Sequence, residues 1–299
     1  MFVRKVTLGA YVKRKESRHR TKAPCGALWL VAILMSPTER ECTVSLKEFK
    51  SRTIAAGGNA KTVKGDGVYQ TAIMYLAPHT ASLVGNTCPM AITAQCHVAC
   101  LYGAGRAEFL PSIPKARIAK TERYFRNRSA FMAELVRDLS RFVKHCAKQD
   151  VKPACRLNGT SDIQYEVAHP CERNGQRFES IFAAFPEVTF YDYTKIYKRA
   201  YRALPANYSL TVSYSGANPA YADAVMKAHR ETGVNVATVF RSKQARNALI
   251  AAGWNGLRVI NGDETDMRFL DDKGVVIGLY AKGKAGRADR SGFVVDIAA

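Results

Sequence analysis

The period of the apolar positions changes along the chain. Over 114–126 and 129–148 apolar residues recur every three to four positions. In the second stretch Phe131, Leu135, Leu139, Phe142 and Val143 form one stripe with charges opposite, the pattern of an amphipathic helix. A short strand pattern follows over 151–157 and ends in Asn158-Gly159-Thr160-Ser161-Asp162. The two periods then alternate: helix 178–185, strand 188–193, helix 197–204, strand 209–214, helix 219–231, strand 235–240, helix 243–252 and strand 257–260. Two strand-like pieces, 274–280 and 292–297, flank a Gly- and Lys-rich stretch, 281–291, that reads as a hairpin or flap.

Parallel neighbours in a sheet need a crossover between them, so four consecutive helix-then-strand steps predict an α/β fold with a parallel sheet. Such a sheet closes into a barrel or stays open and doubly wound. Polar residues gather at the C-terminal ends of successive strands: Asn158 and Asp162, Asp192 and Lys195, Ser213 and Ser215, Arg241, Asn261 and Asp263. The working face of a barrel collects residues in this way. The expectation is therefore a partial or complete parallel (β/α) barrel over 44–299, with its first strand within 72–84. A basic extension occupies 1–43, and a C-terminal strand pair closes the chain.

Charge sharpens this picture. The 299 residues carry a formal net charge of +20 with 47% hydrophobic residues, which excludes whole-chain disorder and points to a polyanionic partner such as nucleic acid. Two segments, 1–23 and 114–152, each hold an excess of seven cationic residues. The second excess lies on the predicted helices, where it is either a solvated face or a polyanion-binding one. The apolar run Ala27–Met35 is nine residues long, and a membrane span needs about 20. No small-x-small cleavage site follows it in Ser36-Pro37-Thr38-Glu39. These features predict a cytoplasmic protein with no membrane contact, and Met35 stands as an alternative start.

Of eight cysteines, three lie within thirteen residues: Cys88, Cys96 and Cys100. In the predicted barrel they occupy the loop that leaves the first strand. Three thiolates on one loop suit a soft metal and leave a coordination position open. Three readings stand: a [4Fe-4S] iron-sulfur cluster on the three cysteines, a zinc ion with His97 as fourth ligand, or ordinary buried thiols.

Several short motifs occur in order: Gly58-Asn59-Ala60-Lys61, Cys100-Leu101-Tyr102, Arg156-Leu157-Asn158-Gly159-Thr160-Ser161-Asp162, Phe190-Tyr191-Asp192-Tyr193-Thr194-Lys195 and Asn261-Gly262-Asp263. Together they resemble the bacteriophage gene product 88 family over roughly 45–295. The resemblance implies a phage or prophage origin and a bacterial host cytoplasm, and it implies no particular reaction. Members often carry further cysteines near the C-terminus, whereas 172–299 has none here. In the order of its parts the chain also resembles radical S-adenosylmethionine enzymes, whose partial (β/α)6 barrel carries three cluster-binding cysteines after the first strand. The spacing departs from that pattern, with seven and then three intervening residues in place of three and two. Nor does Asn158-Gly159-Thr160 reproduce the glycine-glycine-glutamate strand end of those enzymes. That resemblance implies a cluster on Cys88, Cys96 and Cys100. It further implies a cofactor pocket lined by Asn158, Thr160 and Asp162, with Lys195 or Arg241 pairing with the cofactor carboxylate.

Other features carry less. Asp263, Asp266 and Asp271 near Arg268 offer magnesium ligands or an ordinary turn. Tyr191, Tyr193, Tyr197 and Tyr201 interleave with Lys195, Lys198, Arg199 and Arg202, as in single-strand binders or as in an amphipathic helix. No Gly-x-Ser-x-Gly elbow is present. Two functions of different class follow: an iron-sulfur enzyme that cleaves S-adenosylmethionine, and a non-catalytic nucleic-acid-binding phage protein with structural or zinc-binding cysteines.

Overall fold

The computed structural model describes residues 46–58 and 66–297, so the expected extension over 1–43 lies outside the described residues. The strands are β1 (Phe49–Lys50), β2 (Ile54–Ala56), β3 (Tyr69–Met74), β4 (Lys152–Arg156), β5 (Cys171–Arg173), β6 (Gln176–Phe178), β7 (Thr189–Thr194), β8 (Tyr208–Ser213), β9 (Asn235–Phe240), β10 (Val259–Asn261), β11 (Val276–Tyr280) and β12 (Val294–Val295). The helices are α1 (Arg106–Phe109), α2 (Ser112–Arg126), α3 (Arg128–Ala147), α4 (Ile181–Ala184), α5 (Pro219–Thr232), α6 (Lys243–Ala252) and α7 (Gly283–Ala288). Short 3-10 turns stand at Leu101–Gly103, Tyr197–Tyr201 and Arg268–Leu270.

One sheet dominates, with spatial order β1-β2-β3-β4-β7-β8-β9-β11-β10. The β1–β2 hairpin joins β3 antiparallel, and from β3 onward every neighbour is parallel. Strands β5 and β6 form a separate hairpin. The helix starts follow local capping chemistry. Asn127, Asn218 and Ser242 accept a hydrogen bond from the backbone N–H three residues on, at the starts of α3, α5 and α6.

Alternation along the strands shows how the sheet is wound. Ala72, Met74, Cys155, Phe190 and Tyr208 share one core with Phe131, Leu135, Leu139 and Phe142 of α3. Val212 and Val236 meet Tyr221 and Val225 of α5, and Phe240, Val259 and Val276 meet Leu249 of α6. By register these strand residues all lie on one face, so α3, α5 and α6 pack there together. A doubly wound sheet would have helices on both faces. The sheet is therefore not doubly wound, and the predicted barrel closure is not found either. The two edges of the described sheet are the hairpin strand β1 and the three-residue β10, and they do not pair.

The opposite face is filled by the connection between β10 and β11. The chain passes β11's place to form β10 and then steps back, and a right-handed crossover that reverses direction must use the other face. Residues 262–275 take that route. Phe269 packs edge-on against Tyr69 at 4.9 Å between ring centroids and lies 5.2 Å from Tyr191. Arg156 Nη1 donates to Asp266 Oδ2 at 2.5 Å, and the Arg156 guanidinium lies over the Tyr193 ring. The carboxylates considered as magnesium ligands each have a cationic partner instead, Asp263 in Lys282 and Arg246, Asp266 in Arg156 and Asp271 in Arg268.

Other expectations change in detail. The C-terminal strand pair is not a pair, because β11 and β12 each run parallel to β9 on its opposite sides, and β12 takes up the end of β9 that β8 leaves free. The first parallel strand, β3, starts before the expected window, since 75–84 belongs to the loop after it. The stretch 178–185 shortens to α4 because its N-terminal side pairs as β6, and 197–204 forms a 3-10 turn. Most of the expected flap is helix α7.

Arg156 and Asp266 form a buried pair, with side chains 12% and 5% exposed. Replacing Arg156 by Met strands a desolvated carboxylate, and we expect a loss of about 3–5 kcal/mol in urea unfolding, mostly recovered in the double variant Arg156→Met/Asp266→Leu. A single variant as stable as the parent would show that this pair does not hold 262–275 in place.

Candidate functional site

The chain leaving β3 does not run straight to its helix. It first folds over the C-terminal ends of β4, β7 and β8, and backbone contacts fix it there. Gly159 N donates to Met74 O at 3.0 Å, Asp162 N to Thr87 O at 2.8 Å, and Ser215 Oγ to Ala94 O at 2.7 Å. Gly159 is required at the first of these crossings. A Cβ there would stand 2.7 Å from both Ile73 Cγ2 and Tyr75 Cδ1, and 2.8 Å from the Met74 carbonyl oxygen. Asn86 Oδ1 accepts from Cys88 N at 2.8 Å and shapes the turn into the cysteine segment.

Asp162 is the fastener of this rim. Its Oδ1 accepts from Thr194 Oγ1 at 2.8 Å and from Arg199 Nη1 at 3.2 Å, while Oδ2 accepts from Lys195 N at 2.7 Å. Burial pushes its carboxyl above the ordinary range, against the pull of Arg199. Arg199 is fully buried and also holds Glu166 through two bonds of 2.8 Å. The interleaved tyrosines and cations of 191–202 divide: Lys198, Tyr201 and Arg202 are exposed, while others turn inward. Arg199 is interior, Tyr191 is buried on the face that 262–275 covers, and Lys195 turns toward β8.

Lys195 Nζ donates to Ser213 Oγ at 2.6 Å, Ser213 O at 3.2 Å and Tyr214 O at 3.0 Å, and lies 4.3 Å from the Phe293 ring centroid. Desolvation lowers its pKa to about 8, against the attraction of Cys96 and Asp162. The three loop thiols are partly buried, and two stand near backbone carbonyl oxygens: Cys88 Sγ lies 3.9 Å from Thr160 O and Cys96 Sγ 4.0 Å from Ala91 O. Burial is the main cause of their raised pKa values, with Cys88 pushed up to about 12. Two cations face the group, Lys195 toward Cys96 and Arg117 of α2 toward Cys100. Arg117 Nη1 donates to Tyr102 O at 3.0 Å, and its guanidinium lies over the rings of Tyr75 and Tyr102.

The residues expected at the site do not all meet. Asp162 and Lys195 meet directly, and Cys88 and Cys96 each feel the Asp162 charge, Cys96 that of Lys195 as well. Asn158 and Thr160 belong to the framework. Asn158 is buried, with Nδ2 donating to Ile163 O and Asp192 Oδ2 and Oδ1 accepting from Ser161 Oγ and Ile163 N. Thr160 Oγ1 donates to Leu76 O at 2.5 Å, and the Thr160 carbonyl oxygen stands 3.9 Å from Cys88 Sγ. Arg241 is held apart by a two-bond pair with Asp296, at 2.6 and 3.0 Å, beside a cavity of about 290 Å³ lined by Tyr214, Gly216, Arg290 and Gly292. His97 bonds the Ala91 carbonyl oxygen at 3.0 Å and stacks on His79. Among the described residues no three or more His, Cys, Asp or Glu side chains are grouped to hold one metal ion, so the four-ligand zinc site built on His97 is not found. Cys146, Cys155 and Cys171 sit in the core beneath the helices.

Sequence reasoning missed Arg117 and Thr87. Their parts depend on contacts across 42 and 75 residues of chain respectively, to Tyr75 and Asp162, and no local pattern reports such distances.

A singly wound parallel α/β sheet with a cysteine-bearing loop folded over the C-terminal rim defines the class of this protein. The model of the family described as Gene product 88 matches residues 46–297. The chain belongs to that bacteriophage gene-product family. No curated protein and no solved structure matches it. Among the described residues no helix is long and apolar enough to cross a membrane.

Because the folded Lys195 releases its proton near 8 and the unfolded one near ~10.4, the unfolded state binds more protons between these values, and Lys195 adds stability as pH rises through that window. The difference between parent and Lys195→Met in unfolding free energy should therefore grow from pH 8 to pH 10. A difference independent of pH would show that the Lys195 ammonium keeps its ordinary hydration.

Proposed function

We infer that this protein is a phage iron-sulfur enzyme of the host cytoplasm that cleaves S-adenosylmethionine, with Cys88, Cys96 and Cys100 as cluster ligands. The observation that carries the reading is a three-cysteine loop fastened over the C-terminal rim of the parallel sheet, through Thr87 to Asp162, Ala94 to Ser215 and Cys88 beside the Thr160 carbonyl oxygen. Rims of this kind are where (β/α) folds assemble their chemistry. The donor set suits the group: three cysteines and no fourth protein ligand among the described residues. A cubane attaches each thiolate to a different iron, so its ligands stand farther apart than those around a single ion. The lack of a single-ion grouping is therefore compatible with a cluster and disfavours zinc.

Held by Cys88, Cys96 and Cys100, a cluster would pass one electron from an external reductant to S-adenosylmethionine for its reductive cleavage. The chain's own residues have distinct tasks. Lys195 provides the positive charge beside Cys96 and would exchange its bonds to Ser213 and Tyr214 to pair with the methionyl carboxylate, while Arg241 is held by the Asp296 carboxylate. Arg117 offsets negative charge at Cys100 from the α2 side. Asp162 holds the loops in register, and Asn158 and Thr160 support it as framework rather than as pocket lining. Buried thiols with raised pKa are poor nucleophiles, so thiol-based covalent catalysis has no support here.

Anaerobic reconstitution with iron and sulfide should give a brown protein with about four irons per chain. Added dithionite and S-adenosylmethionine should then yield 5′-deoxyadenosine. The variant Cys88→Ala/Cys96→Ala/Cys100→Ala should stay colourless with its circular dichroism unchanged. Equal iron retention by that variant, or a colourless parent, overturns the reading.

A further inference from the structure

Helix α3 has two faces of opposite character. Phe131, Met132, Leu135, Leu139, Phe142 and Cys146 are buried against the sheet. The outward positions 130, 133, 137, 141, 144 and 148, counting the residue that caps the helix, follow the helical repeat at steps of three and four, and all are exposed. The first two are alanines, and the next four are Arg137, Arg141, Lys144 and Lys148, one cation per turn. Eleven residues of helix set these four over about 16 Å.

Little opposes them. Asp138 lies on the inner side, where its Oδ2 accepts from Thr53 N and Oγ1, and it reaches only Arg141, at 3.7 Å. Glu134 is taken by Arg52 and Arg123. Among the described residues no ion pair is found for Arg137, Lys144 or Lys148. Lys47 extends the row, because its amide donates to Gln149 Oε1 and its carbonyl oxygen meets His145 Nε2, which seats this exposed lysine beside the end of α3. A structural ion-pair network would set exposed acids among these cations, whereas the one acid between them, Asp138, is buried.

We propose that the outer face of α3 binds the phosphate backbone of a nucleic-acid duplex without reading its sequence. Charge names the partner class: a regular row of unopposed cations on a rigid helix fits a regular row of phosphates, about five per strand over 16 Å of duplex axis. The make-up of the face selects among polyanions. It exposes no aromatic ring on which unpaired bases could stack, which disfavours single strands. It exposes no large apolar side chain to enter a lipid surface, which disfavours membranes. The surface is independent of the cysteine loop, so its success or failure leaves the iron-sulfur reading where it stands.

The test compares the full chain with the variant Arg137→Gln/Arg141→Gln/Lys144→Gln/Lys148→Gln, measuring affinity for a random-sequence duplex across a salt series. Four phosphate contacts correspond to a slope of log K against log [salt] of about −3.6, and the variant's slope should be shallower than the parent's by that amount. Its circular dichroism should match the parent's, because all four positions are exposed. Arg141 reaches Asp138 and the Phe49 ring, so a second variant, Arg137→Gln/Lys144→Gln/Lys148→Gln, leaves it in place, and its slope should be shallower than the parent's by about 2.7. Lys227→Gln/Lys243→Gln/Lys273→Gln, on exposed positions elsewhere, should keep the parent slope. Equal slopes in parent and α3 variant overturn the proposal, as does loss of phosphatidylserine vesicle binding in the variant with duplex affinity unchanged. Tighter binding to an oligothymidine strand than to duplex, lost in the same variant, overturns the choice of duplex.

Discussion

A single carboxylate holds the working end of this molecule together. Asp162 receives a hydroxyl and a guanidinium on one oxygen and the Lys195 amide on the other, while its own N–H reaches back to Thr87 beside Cys88. The loop after β4, the end of β7, the turn at Tyr197–Tyr201 and the cysteine loop therefore share one anchor. Burying a charge in this way costs free energy unless every lone pair is met, and here three donors meet it. Lys195 is placed by the same contact. Its backbone N–H is fastened to Asp162, so its side chain can only reach forward over the end of β8, where Ser213 and Tyr214 receive it. The cationic side of the thiol group thus follows from an anionic residue that itself faces inward.

The long amphipathic helices and the strands between them were legible because each buries a local pattern against the same sheet face. Strand β9 and helix α6 fall where the period places them, and α3 within one residue of it at each end. Closure was not legible. Whether a sheet becomes a ring is decided by pairing between its outermost strands, and no window of sequence contains both. The β1–β2 hairpin was invisible because two- and three-residue strands carry too few positions for a period of two to register. The role of 262–275 was hidden for a different reason. Its aspartates read as a turn or a cation site, and only the folded chain reveals that Arg156, 110 residues earlier, waits for Asp266.

At the site, residue chemistry was a better guide than residue role. Cysteines, an aspartate and a lysine at strand ends do gather, as the barrel pattern suggests. Asn158 and Thr160 share the neighbourhood but turn their side chains to backbone carbonyls, because a loop folded over strand ends must satisfy its own polar groups first. Arg241 sits at the end of β9 as expected, yet Asp296 after β12 captures it from across the sheet edge. The basic excess over 114–152 divides in a similar way. Arg117 and Arg123 turn inward to partners, while the outer row of α3 remains open to solvent.

The place of β12 has a consequence for biosynthesis. Strand β9 leaves the ribosome with one neighbour already made and must wait for residues 276–280 and 294–295 before its remaining backbone groups are met. The Gly216 amide, next to the serine that pins the cysteine loop, likewise finds its acceptor only when Gly292 arrives. Until those residues are made, the rim at Gly216 is unfinished.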